Sequence, residues 1–180
     1  MSIRVEIVAL IMFLALIPIT CASSMVLGHH QVTFNVSEPY NSSAKLDTPY
    51  YNLSASNDWT YVLNMTVDSQ HALKIMVNEL TIPDFDRTWP NDFAVTRQDW
   101  IKTNGIGGYK SSTMDFKGYP TYQESYPAQK IYHDDGTFVM YLQHNSLNYE
   151  PDEKTVVHII AVGDNVPYQE VLESIKVVDV

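Results

Sequence analysis

Residues 7–19, IVALIMFLALIPI, form one almost unbroken apolar run; beyond them apolar and polar positions alternate in shorter stretches. The run follows Arg4 and precedes the small residues Thr20, Cys21, Ala22, Ser23 and Ser24. A membrane-spanning helix needs about 20 apolar residues, so the run is short for a span. A charged start, an apolar middle and a small-residue end are the plan of a secretory signal peptide, with cleavage expected after Ala22 or after Ser24. Two alternatives stand beside it. Glu6 offsets Arg4, which leaves an uncleaved anchor open. Cys21 offers a lipid attachment site, although Pro18-Ile19-Thr20 before it makes a poor lipobox. The expected organisation is a leader over 1–24 and one exported domain over 25–180. Its expected place is extracellular or at the cell surface, membrane-anchored if the leader is uncleaved.

Within that domain the two-residue period dominates. Residues 31–36 put Val32, Phe34 and Val36 on one face, which predicts a strand. Residues 59–67 put Trp59, Tyr61, Leu63, Met65 and Val67 on one face and Thr60, Asn64 and Thr66 on the other. Asp68-Ser69-Gln70 reads as a turn, and 73–82 as the returning strand. Helical spacing appears twice. Pro90-Asn91-Asp92 opens a helix carrying Phe93, Arg97, Trp100 and Ile101, stopped by Gly105. Asp164 or Asn165 is expected to cap a second helix over 167–175, with Tyr168, Val171, Leu172 and Ile175 as its apolar stripe. Between the helices, 109–116 and 121–126 read as strands, and 131–133 and 137–143 flank Asp134-Asp135-Gly136, a hairpin turn. Residues 155–162, TVVHIIAV, read as a buried strand. The fold class is α+β: a mainly antiparallel sheet with two helices packed on it.

Charge and cysteine content narrow the function. The net charge is -10, which disfavours nucleic acid and anionic lipid. Cys21 is the only cysteine and falls within the leader, so the exported domain is expected to lack disulfides, cysteine nucleophiles and cysteine zinc sites. Four N-x-Ser/Thr sequons, at Asn35, Asn41, Asn52 and Asn64, lie in the first part of the domain and suggest a glycosylated face; compositional bias is the competing reading.

Candidate chemistry is sparse. The chain has no G-x-S-x-G, H-E-x-x-H or Walker A sequence. His133, Asp134 and Asp135 have metal-ligand chemistry, but a hairpin uses Asp for turn geometry. His29-His30 reads as disordered, His71 as a turn neighbour, and His144 and His158 as strand residues. Asp84, Asp86 and the acids at 150–153 read as solvated loop carboxylates without the calcium-loop pattern. The tyrosine-dense stretch holding Tyr119 and Tyr122, with Tyr126 after it, is expected to share a ligand cleft with Gly107 and Gly108 of the Gly-rich loop. No cofactor is expected.

Gly118-Tyr119-Pro120, the apolar strand over 156–162 and the ending Val171-Leu172-Glu173-Ser174-Ile175-Lys176-Val177 resemble PsbP-like domains and related small secreted lipoproteins, whose last helix closes on x-L-x-S-I-x-V. The likeness covers roughly the second half of the chain. The first half lacks that family's Pro-x-x-Trp start, with Asn57-Asp58-Trp59 in its place. The chain is also similar to exported proteins of methanogenic archaea. The resemblance implies an α/β/α sandwich and a non-catalytic accessory role beside a membrane complex, and carries over no site residue. The expected function is therefore an exported cell-surface binding or accessory domain. Its partner would be a protein or membrane complex, with no nucleic acid and no membrane insertion beyond the leader. A small secreted hydrolase using carboxylates and histidine, and a structural envelope component, are the alternatives.

Overall fold

The computed structural model describes residues 21–52, 58–81 and 89–180. The apolar run at 7–19 and the acids Asp84 and Asp86 lie outside them. Chain order gives β1 (Cys21–Leu27), β2 (His30–Val36), β3 (Ala44–Leu46), β4 (Tyr50–Asn52), β5 (Asp58–Thr66), β6 (Ala72–Glu79), α1 (Trp89–Thr103), β7 (Lys110–Phe116), β8 (Tyr119–Tyr126), β9 (Gln129–Tyr132), β10 (Phe138–Tyr141), β11 (His144–Asp152), β12 (Thr155–Val162), α2 (Tyr168–Ser174) and β13 (Lys176–Asp179). The large sheet runs β3-β5-β6-β12-β11-β8-β7, with β4 also paired to β5, and every pairing in it is antiparallel. A second sheet has the order β1-β2-β13, and β9 and β10 form a separate hairpin. Among the described residues no helix is long and apolar enough to cross a membrane.

Side chains alternate across a strand, so each strand has an inner and an outer row. Leu63, Ile75, Ile159 and Leu147 are register neighbours across four strands and all are fully buried. They meet Phe34 and Val32 of the small sheet and Val171 and Ile175 at α2 in one core. The α1 helix lies on the opposite face, over β7 and β8. The α+β class is as expected from the sequence.

Several boundaries differ from the sequence expectation. Cys21–Leu27 pairs along its length with β2, so both expected cleavage points fall inside a strand. His29-His30 is not disordered: it turns β1 into β2, and His30 is 6% exposed. Gly28 there has φ +64°, and a Cβ on it would lie 2.0 Å from Glu79 Oε1, so only glycine admits the turn beside Glu79. The strand expected over 73–82 stops at Glu79, where Leu80 N–H turns to the Lys154 carbonyl. Neither Asp164 nor Asn165 caps α2; Pro167 holds that position without a side-chain bond. Asp164 instead accepts from His71 Nε2 at 3.0 Å, while His71 Nδ1 meets Asp68 at 2.9 Å. The acids at 150–153 are not all solvated, because Glu150 is buried in β11.

Phe34 joins the two sheets, so Phe34→Ala is expected to cost about 3–5 kcal/mol in urea denaturation. His71 clips the β5–β6 turn to the loop before α2. Hydrogen bonds that its ring donates to Asp68 and Asp164 raise its pKa. Its contribution is full below the unfolded histidine value, about 6.5, and is lost as pH rises through the higher folded value. The aspartates' share, their pKa values being lowered, is lost in acid. His71→Gln should therefore lower Tm most near about pH 5–6 and leave it unchanged near about pH 9.

Candidate functional site

Strand β8 divides its side chains between two jobs. Tyr122, Glu124 and Tyr126 alternate with Gln123 and Ser125. The first set turns toward α1 and the second toward the side of the core, where it floors an open groove.

Glu124 is the centre of the helix-covered side, and its side chain is 3% exposed. Arg97 of α1 donates Nε to both oxygens at 3.0 Å. His144 Nε2 lies 3.2 Å from Oε1. The Tyr109 and Tyr122 hydroxyls each lie 3.1 Å from Oε2 and meet one another, so their two protons are shared among three contacts. Tyr126 stacks on His144 at 4.9 Å between ring centres, and Arg97 lies 4.4 Å from the Trp100 ring centre. Burial alone raises the Glu124 pKa. Hydrogen bonds from His144 and Arg97 outweigh it and hold the group at about 2. Burial drives the Tyr122 hydroxyl far up. Beside this hub, Asn148 faces Tyr122 on one strand and His158 on the next. Asn148 Nδ2 and His158 Nε2 are buried without a partner, and burial, then the charge of His144, pushes His158 down to about 4. A carboxylate with every oxygen occupied and held ionised has no proton to trade near neutral pH; this cluster fastens α1, β8 and β11 together.

The groove on the other side consists of two adjoining cavities, about 310 and 410 Å³, that share Lys110, Ser125 and Asn145. Gln123 and Ser112 bridge in the floor at 2.9 Å. Tyr168, the first residue of α2, walls one end, and its hydroxyl is buried without a partner. Gly108 and Tyr126 wall the other. Gly108 has φ +67°, and a Cβ on it would lie 2.9 Å from Pro127 Cδ, so glycine keeps that wall thin.

The structure brings Gly108 and Tyr126 to one cavity, but not the other residues expected there. Tyr122 is fully buried on the hub side. Tyr119 is at the far end of β8, 5.9 Å from the Tyr149 ring. Gly107 N–H is held by Gln129 Oε1 at 2.8 Å. His133, Asp134 and Asp135 are exposed on the β9–β10 turn, where Asp135 accepts from both the N–H and the hydroxyl of Thr137. Among the described residues no group of three His, Cys, Asp or Glu side chains is placed to hold a metal. Of the sequon residues, Asn35, Asn41 and Asn64 are partly exposed, and Asn64 accepts from the hydroxyl of Thr66; Asn52 ends β4.

A further cluster escaped the sequence reading. His30 Nδ1 lies 2.9 Å from Asp179 Oδ1, and its Nε2 lies 3.2 Å from Thr155 Oγ1. The order is that of a nucleophile, base and acid. Thr155 is only 2% exposed and the Asp179 side chain 84% exposed, the reverse of what an attacking hydroxyl and an orienting acid need. The cluster pins β13 and the β1–β2 turn to the large sheet.

The depressed Glu124 pKa makes its stabilisation present above the unfolded value and lost as pH falls toward about 2. Glu124→Gln at pH 7 is expected to cost about 3 kcal/mol and to speed amide exchange in α1; hydrogen exchange with denaturant melts checks both. In comparison with known proteins, no family model matches this sequence and no curated relative does.

Proposed function

We propose that this chain is an exported cell-surface domain that binds a partner through the β7–β8–β11 groove and performs no chemistry of its own. The observation that carries the reading is the division of β8. One side is locked by an ionised, saturated carboxylate, and the other offers Lys110, Ser125 and Asn145 at a rigid concave surface. None of those three side chains has a hydrogen-bond partner among the described residues, so each is free for a ligand. Rigid presentation lowers the ordering cost of binding. The layering, with α1 on one face of the sheet and α2 with the small sheet on the other, supports a PsbP-like sandwich and an accessory role beside a membrane complex. Asn35, Asn41 and Asn64 lie in β2, in the β2–β3 connection and in β5, none of which lines the groove. A hydrolase is the second reading, favoured by the Thr155–His30–Asp179 order and opposed by the burial of Thr155.

A photoreactive phenylalanine analogue at position 125, in the groove, and at position 45, exposed on β3 at the far edge, distinguishes the readings in the native host. One defined adduct from position 125 alone is expected. Identical adducts from both positions contradict groove binding, and ester hydrolysis abolished by Thr155→Val would favour the hydrolase.

A further inference from the structure

The two outer edges of the large sheet differ. On one side stand β3 and β4, three residues each. On the other stands β7, seven residues in continuous register with β8 and paired with nothing else among the described residues. Proteins blunt such edges with short strands, charges, proline or bulges. The β3/β4 side uses shortness. In β7 the middle residues Ser111, Ser112, Thr113 and Met114 are uncharged, contain no proline and show no register shift. Ser112, Thr113 and Met114 are exposed. Alternate residues of an edge strand turn backbone N–H and C=O groups away from the sheet, and a polypeptide strand satisfies that ladder where a sugar does not.

The charges on β7 say what such a strand should carry. Asp115 is engaged at the β7–β8 turn, its Oδ1 accepting from Gly118 N–H at 2.9 Å. Lys110, at the other end, has neither an ion pair nor a hydrogen bond among the described residues and lines both cavities of the groove. Among the described residues that line the two cavities Glu124 is the one acid, and its carboxylate is paired with Arg97. An uncommitted cation next to an open edge suits an acidic side chain on an added strand.

We propose that β7 accepts an extended segment of a partner protein as an extra antiparallel or parallel strand, with an acidic side chain of that segment reaching Lys110 over the groove. The inference rests on the groove-binding reading and adds the class of partner. The probes are three fluorescein-labelled peptides of about nine residues, alternating Thr and Val, with Glu, Lys or Thr at the centre. Fluorescence anisotropy with the full chain is expected to show the Glu peptide binding about fivefold tighter than the Thr peptide. In Lys110→Glu the preference should pass to the Lys peptide. Amides of 110–116 should gain hydrogen-exchange protection on binding. Thr113→Lys, with an unchanged Tm, should weaken all three peptides by about tenfold or more. The proposal is overturned by any of four results: no peptide binds at about 1 mM; the Glu and Lys peptides bind equally; protection appears away from 110–116; or light scattering shows a dimer broken by Thr113→Lys, in which a second copy fills the edge. If Ser125→Trp abolishes partner crosslinking in the host and Thr113→Lys does not, groove binding stands and strand addition falls.

Discussion

One buried carboxylate, that of Glu124, organises the part of the molecule built from α1, β8 and β11. Glu124 takes donors from a helix, from the segment after that helix and from a neighbouring strand, and from Tyr122 of its own strand. An unpaired charge at that depth would cost several kcal/mol, so each donor is held as firmly as the carboxylate needs it. The α1 helix packs on β7 and β8 of the large sheet. Among the described residues, Trp100, Ile101 and a surface bond from Gln98 to Ser111 add to the Arg97 bond.

That constraint shapes the opposite face as well. Because successive residues of a strand point to opposite sides, fixing Tyr122, Glu124 and Tyr126 also fixes Gln123 and Ser125. The groove inherits the rigidity of the hub without sharing its charge. The same economy explains why β7 stays in register with β8 although its outer side is open. Gln123 bonds Ser112 from one side, and Gln98 bonds Ser111 from the other. A firm edge beside a polar groove is a surface suited to recognition, and the core begins next to it, where Leu147 lies opposite Gln123 and Tyr168 packs on the core.

The elements with a clear two-residue period were legible. Residues 155–162 form β12 with the expected bounds, and alternate buried and half-buried positions follow from its central place between β6 and β11. The Asp-Gly turn after His133 is likewise where its geometry requires. Strands β3 and β4 were not legible, since three residues are too few to show a period. Strand β1 was hidden because small and apolar residues after an apolar run read as a cleavage region. The hub was invisible for another reason. Glu124 lies 27 residues from Arg97 and 20 from His144, and no local pattern marks such a meeting. A cleft near Gly108 was suspected from the tyrosines, yet alternation along β8 sends Tyr122 into the hub and leaves the small residues Ser125 and Asn145 on the groove floor. Of the three tyrosines, Tyr126 lines one of the two cavities.

The most direct test is an NMR titration of the Glu124 side-chain carboxyl in the folded protein, followed from neutral pH into acid. With Arg97 and His144 converging on it, the carboxyl is expected to stay ionised down to a midpoint near pH 2. A midpoint near the ordinary glutamate value, about 4.3, would show that the donors do not converge on this carboxylate, and the hub would no longer explain the groove.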